Sequence, residues 1–283
     1  MEIKRVGVVG CGIMGGGIVQ VCAASGYPVV TREISQEFLD KGLAAIRSNL
    51  NRSVERGRLT AEARDETLGR IRGTLAMEDF AACDLVIEAV IEDMVEKKRV
   101  FAALDQTCPA HAIIASNTST MTVLDMAAAT KRPQQVLGLH FFNPAPVMKL
   151  LEIVRTLATS EATLATARAF GESLGKTVII APDTPGFIVN RLIIPFLMDA
   201  IRFLEAGCAT KEDIDNGLVT GCNHPMGPLA LADYVGLDTL MYSGNHMFDE
   251  LRDPRFAPPV LLRRMVAAGW LGRKSGKGFY DYK

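Results

Sequence analysis

Net charge is nearly absent from this chain of 283 residues: 31 Lys and Arg stand against 32 Asp and Glu, leaving −1. With no surplus of positive charge there is no overall field to draw the protein onto nucleic acid or an anionic membrane, so neither is expected as a partner. Long hydrophobic runs are missing too. The longest, around Leu192–Met198, contains Pro195 and falls far short of the ~20 residues that a membrane span needs. The segment MEIKRVGVVG enters an apolar strand at once, leaving no room for a signal peptide. The six cysteines form no C-x-x-C pair and mostly sit in apolar stretches, as free thiols do in a reducing compartment. A cytoplasmic protein is expected. The four histidines form neither an H-E-x-x-H motif nor a Cys/His cluster, so no metal site is proposed.

What is present is an ordinary globular composition, 48% hydrophobic and 22% charged, which excludes disordered, collagen-like and coiled-coil classes. At about 150 residues per domain the length suggests two domains. Val6–Val9 reads as a strand, Ile13–Ser25 as a helix closed by Gly26, and Val29–Arg32 as a second strand. A long helical stretch begins at Ser35, and another helix runs from about Thr60 to Arg70. Asp84–Val90 is continuously apolar and reads as a buried parallel strand. Glu92–Asp105 is helical, Ala112–Ala115 a strand, Thr122–Ala129 helical and Val136–Leu139 a strand. Alternation of this kind predicts an α/β, Rossmann-type, mostly parallel sheet covered on both faces.

Beyond the turn-rich Pro182–Gly186 the alternation stops. Phe187–Ala206 repeats apolar positions at helical spacing, with Ile188, Leu192, Phe196, Ala200 and Leu204 predicted along one stripe and Pro195 as a kink. Lys211–Leu218, Pro228–Val235 and Pro259–Ala268 are further helices. The expected division is an α/β domain over 1–183 and a smaller all-α domain over 184–283, the latter serving substrate and dimer contacts.

Two constellations carry chemistry. Gly10-Cys11-Gly12-Ile13-Met14-Gly15 is a G-x-G-x-x-G motif between a strand and a helix, with Glu33 lying 18 residues after Gly15 at the end of the next strand. Gly10 would permit the turn, Gly12 the approach of a pyrophosphate, and Gly15 close helix–sheet packing, with the helix N-terminus facing the phosphates. A carboxylate at Glu33 favours the ribose diol of NAD over the 2′-phosphate of NADP, although Arg32 beside it could pair with such a phosphate. The second constellation is His140, at the end of an apolar strand, with Glu152 in the following β-like segment Met148–Val154. A carboxylate rarely stays among apolar residues without a partner. A histidine held by one can take a hydroxyl proton, as alcohol oxidation by hydride transfer requires. A purely structural histidine remains the alternative at this point.

Across essentially its whole length the chain resembles the NAD-dependent 3-hydroxyacyl-CoA dehydrogenase family, and within it the bacterial short-chain 3-hydroxybutyryl-CoA branch. The resemblance rests on the glycine motif, IEAVIED at Ile87–Asp93, ASNTS at Ala115–Ser119, GLHFFNPAPVMKLLE at Gly138–Glu152, DTPGFIVNR at Asp183–Arg191, HPMGPLALADYVGLD at His224–Asp238 and GRKSGKGFY at Gly272–Tyr280. It implies that His140 is the acid/base and Glu152 its partner. Ser119 and Asn190 would bond substrate oxygens, and Asn143 would lie near nicotinamide and substrate. Glu92, Lys97, Ser119 and Lys274 would contact NAD, where without the resemblance the three charged residues read as solvated surface charges. An acyl-CoA substrate needs basic residues for its phosphates, and Arg52 and Arg56 are the candidates. Glu33 replaces the common Asp and Thr120 the common second Ser. A homodimer is expected. The alternatives are a dehydrogenase of a non-thioester 3-hydroxy acid and a non-catalytic dinucleotide-binding protein.

Overall fold

The structure, a computed structural model, describes residues Met1–Tyr282. The chain forms two compact units, Met1–Asp183 and a second that starts at Thr184.

The first unit is built on eight strands: β1 (Val6–Val9), β2 (Val29–Arg32), β3 (Ile71–Thr74), β4 (Leu85–Glu88), β5 (Ile113–Ser116), β6 (Val136–Phe141), β7 (Leu150–Arg155) and β8 (Thr177–Pro182). Their order is β3-β2-β1-β4-β5-β6-β7-β8, and every pairing is parallel except β6 with β7. The helices are α1 (Ile13–Ala24), α2 (Gln36–Glu55), α3 (Ala61–Gly69), α4 (Met94–Thr107), α5 (Val123–Ala127) and α6 (Glu161–Ser173). Strands β1, β4, β5 and β6 are buried along their whole length, as their unbroken apolar runs require of a sheet covered on both faces. Ser35 starts α2 by accepting the Phe38 amide at 3.3 Å, and Ser160 starts α6 by accepting that of Thr163 at 3.1 Å. The strand order reverses between β1 and β4, the crevice at whose carboxyl end open α/β sheets take their ligands.

Two edge strands and one helix of this unit are absent from the sequence reading. β3 is half-exposed and carries Arg72 and Gly73, so neither apolar alternation nor propensity marks it. β8 is a short, half-exposed apolar run that becomes a strand by pairing with β7, and α6 lies between them.

The second unit contains α7 (Val189–Glu205), α8 (Lys211–Gly221), α9 (Pro228–Val235), α10 (Leu237–Leu251) and α11 (Val260–Ala267). α7 passes through Pro195, but its buried face is Ile194, Leu197, Met198 and Ile201, not the stripe predicted through Leu192. Leu192 is 69% exposed, while Phe196, Ala200 and Leu204 only flank the core. The apolar arc of α7 covers more than half of its circumference and is wider than the buried face, so spacing alone selected the wrong part of it. α10 has no counterpart in the sequence reading because Gly244 and Asn245 lower its propensity. Packing overrides this, since a Cβ at Gly244 would lie 2.5 Å from Met198 Cε. The C-terminal segment is stapled by Asp233, which accepts the Phe279 and Tyr280 amides, both at 3.0 Å, and the Tyr282 hydroxyl at 2.9 Å. Among the described residues no helix is long and apolar enough to cross a membrane, and no three His, Cys, Asp or Glu side chains converge as metal ligands.

Candidate active site

At the end of β1 the chain turns through Gly10 with φ +95°. A Cβ there would lie 2.6 Å from the Ala89 carbonyl oxygen, and one at Gly15 would lie 1.9 Å from that of Gly10. Both positions therefore require glycine for the turn itself. Gly12 differs: a Cβ would meet nothing within 4 Å, so the space above it is open for a ligand. Gly12 is the N-cap of α1, and that helix start has neither a side-chain cap nor an acidic residue in its first turn. α2, α3, α4 and α6 are each capped by a Ser, Thr or Asp side chain. The first turn of α1, Ile13 to Gly15, thus offers its amides to an anion. A cavity of about 370 Å³ opens there between the glycine turn, Glu33 and the α2 residues Phe38 and Lys41.

Glu33 holds this corner. One carboxylate oxygen accepts the Cys11 amide at 2.6 Å and the other accepts the Ile34 amide at 3.1 Å, which fixes a negative charge at the end of β2. Arg32 turns away and donates Nε to the Leu75 carbonyl at 3.1 Å. The residues present fit a dinucleotide with a free ribose diol, since the guanidinium that could meet a 2′-phosphate is engaged at the β3 edge.

Lys97 and Glu92 are not the solvated charges that their sequence positions suggest. Lys97 is 1% exposed, and its ammonium lies 2.8 Å from Glu88 and 3.2 Å from Glu92. Glu88 also accepts the Val90 amide and the Ser116 hydroxyl, both at 2.7 Å, while Glu92 accepts from Thr118 and from the Ser119 amide at 3.2 Å. This network ties the loops after β4 and β5 together, and Ser119 lies on the second of them. Glu88 escaped the sequence reading, although the reasoning applied to Glu152, a carboxylate inside an apolar run, finds it equally well.

His140 and Glu152 meet through the one antiparallel pairing of the sheet, in which they are register partners. His140 Nδ1 lies 2.7 Å from a Glu152 carboxylate oxygen, with the histidine 5% and the glutamate 0% exposed. The Phe142 ring packs on the imidazole at 4.4 Å between centroids. Asn117 accepts the Phe141 amide at 3.0 Å and so pins the strand end next to His140. Asn143 follows, joined to Pro144 by a cis peptide bond. Asn190 is the second residue of α7 in the other unit, and Lys274, also there, pairs with Asp238 at 2.6 Å.

Arg52 and Arg56 line a second cavity of about 340 Å³, together with Arg58, Asn49, Ser53 and Gln20, facing the turn residues Pro144, Pro146 and Val147. Arg58 lies beyond the end of α2, where linear spacing gave no sign that it would rejoin its neighbours. The buried amide oxygen of Gln20 has no protein partner.

Residues 5–184 match the NAD binding domain of 3-hydroxyacyl-CoA dehydrogenase, and residues 186–282 match its C-terminal domain. A 3-hydroxybutyryl-CoA dehydrogenase of Mycobacterium tuberculosis is 50% identical over 99% of both chains. The mitochondrial hydroxyacyl-coenzyme A dehydrogenase of Homo sapiens is 43% identical over 99% of this chain and 92% of its own. The crystal structure of (S)-3-hydroxybutyryl-CoA dehydrogenase from Ralstonia eutropha superposes with a TM-score of 0.95 at 44% identity, covering all of both chains. With both domain matches in order and identity of this extent over the full length, the chain belongs to the 3-hydroxyacyl-CoA dehydrogenase family of NAD-dependent oxidoreductases.

Proposed function

We propose that this enzyme interconverts (S)-3-hydroxybutyryl-CoA and acetoacetyl-CoA, with His140 and Glu152 as its acid/base pair. The observation that carries the reading is the buried 2.7 Å contact between His140 Nδ1 and Glu152. NAD, when bound, accepts the C3 hydride in oxidation and returns it in reduction. Glu152 keeps a proton on Nδ1, which leaves Nε2 as the lone-pair nitrogen. Nε2 takes the C3 hydroxyl proton during oxidation and gives it back to the carbonyl oxygen during reduction. The carboxylate stabilises the imidazolium formed between those steps. Ser119, Asn143 and Asn190 are assigned to the substrate oxygens, which they hold in line for transfer.

Gly10, Gly12 and Gly15, with the Ile13 and Met14 amides, receive the cofactor pyrophosphate, and Glu33 accepts from the ribose diol. Glu92 faces the cofactor with Lys97 behind it, and Lys274 is the cofactor contact assigned to the helical unit. Arg52 and Arg56, joined by Arg58, meet the phosphates of coenzyme A. The helical unit is assigned to a homodimer on the apolar side chains it exposes, among them Leu192, Phe203 and Val260 at 69%, 51% and 42%. A monomer at micromolar concentration in light scattering would remove that assignment.

The test is loss of NADH absorbance with acetoacetyl-CoA against free acetoacetate. The thioester is expected to react and the free acid to be a poor substrate, and equal rates would overturn the substrate assignment. His140→Asn should lower kcat by roughly 10²–10⁴-fold with NADH affinity retained. An undiminished rate would end the acid/base assignment.

A further inference from the structure

The turn that follows His140 forms one wall of the arginine-lined cavity through Pro144, Pro146 and Val147. Its own backbone bonds are few: the Pro144 carbonyl accepts the Val147 amide at 2.9 Å and the Met148 amide at 3.0 Å. Two of its residues are prolines, which donate nothing. Against α1 the turn sits close. A Cβ at Gly17 would lie 3.2 Å from that of Ala145 and 3.4 Å from Pro146 Cδ, so the absence of a side chain at Gly17 lets the turn settle there.

One ammonium grips the same turn. Lys176, between α6 and β8, donates Nζ to the Ala145 carbonyl at 2.6 Å and to the Met148 carbonyl at 2.7 Å. Its placement is fixed in turn: the Lys176 amide bonds the Gly171 carbonyl at 3.2 Å, and the next amide, Thr177, bonds the Lys149 carbonyl at 2.7 Å. The partners of the ammonium are neutral carbonyls, so no carboxylate offsets its burial, and that burial draws its pKa below the ordinary lysine range. An ion-pair role does not explain a half-buried lysine in this setting, whereas closing the turn does.

We propose that Lys176 is a positioning residue for substrate: it fixes the 144–148 turn as the wall of the arginine-lined cavity and so sets acyl-CoA binding without touching the dinucleotide turn. The assignment of that cavity to acyl-CoA rests on the function proposed above. The clamp itself is independent of it, and two separate measurements keep the two apart.

The first is hydrogen exchange in Lys176→Met, which keeps the length of the side chain and removes its three donors. The Val147 and Met148 amides should exchange at least about tenfold faster, the loss expected for bonds made by a charged donor, while α1 exchanges as in the parent. Unchanged exchange in the turn, or acceleration shared equally by α1, overturns the clamp. The second is steady-state kinetics. The KM for acetoacetyl-CoA should rise roughly tenfold with the KM for NADH within twofold, and Lys176→Arg, which retains the donors, should recover a large part of the loss. Equal rises in both KM values, or an unchanged KM for acetoacetyl-CoA, overturn the positioning role. If the parent protein fails to turn over acetoacetyl-CoA while the exchange result stands, the function proposed above fails and the clamp survives.

Discussion

The two cavities of the first unit share Asn49 on α2 and offer negative charge opposite kinds of partner. Around the glycine turn the receptor is backbone: open space over Gly12, an uncapped helix start, and a carboxylate that its own neighbouring amides hold in place. In the second cavity the receptor proposed above is three guanidinium groups on flexible stems. Backbone receptors are costly to alter and less sensitive to salt, while side-chain receptors on exposed stems are replaceable one at a time and more strongly screened by ions. With the assignments proposed above, a near-neutral chain needs no global charge to bind two phosphate-bearing ligands.

The largest effect should come from Gly15→Ala. Its Cβ would lie 1.9 Å from a backbone oxygen, and overpacking of that kind costs about 3 kcal/mol at the upper end, visible as a fall in thermal stability. Gly12→Ala meets nothing. It should melt with the parent and lose NADH affinity alone, as titration of NADH fluorescence would show. Equal melting losses in the two variants would erase the distinction between turn-forming and ligand-facing glycines.

A smaller effect is expected from the side-chain receptor. Removing Arg52 and Arg56 together should raise the KM for acetoacetyl-CoA roughly tenfold, about one charged hydrogen bond's worth, and leave that for NADH unchanged. In the parent, added salt should raise the first constant more than the second. A KM for NADH that moved as much would place the dinucleotide among the arginines.

Thiol labelling probes how closed the backbone receptor is. Cys11 lies in the glycine turn yet is 2% exposed, and burial pushes its thiol up, as it pushes Cys22 and Cys83 up to about 12 and Cys108 to about 11. Cys208 and Cys222 are exposed. A charged disulfide reagent at mildly alkaline pH should consume two thiols per chain quickly and the other four only on unfolding. Fast reaction of Cys11 would mean that the turn opens.

The smallest effect concerns Asp84, which ties down the start of β1. It accepts the Lys4 and Arg5 amides at 2.8 and 3.0 Å and faces His111 Nε2 at 2.9 Å. Burial alone would raise its pKa, but these bonds outweigh it and hold the carboxyl below the usual range. Its contribution to stability is therefore complete above the unfolded value of about 3.9 and fades as the pH falls through the lower folded value. Asp84→Asn should melt slightly below the parent at neutral pH, and the gap should close on acidification. A gap that widened in acid would contradict the sign.

Much of the first unit was legible because its buried strands are continuous apolar runs and its glycine turn has a steric grammar. Edge strands β3 and β8 were not, since their partner supplies the order that their residues lack. The stripe of α7 failed for a related reason: a helix whose apolar arc is wider than its buried face does not say which part of that arc its neighbours occupy. Within the site, Glu152 could be found as a carboxylate stranded among apolar residues. Its pairing with His140 stood in the sequence as one arrangement of two adjacent strands, with a structural histidine as the alternative, because register depends on how the intervening turn closes. Arg58 and Lys176 were invisible, one gathered by a bend after α2 and the other aimed at carbonyl oxygens, which leave no mark in a sequence.

The antiparallel joining of β6 to β7 has a consequence for length variation in this hairpin. One added residue within either strand would turn His140 or Glu152 to the opposite face of the sheet and separate the pair, leaving the arginine-lined cavity wall largely as it was. One added residue in the connecting turn would do the reverse, preserving the pair and displacing the wall. The proton exchange and thioester recognition proposed for this hairpin, side by side along some fifteen residues, would thus have separate tolerances to insertion, and either could be retuned without rebuilding the other.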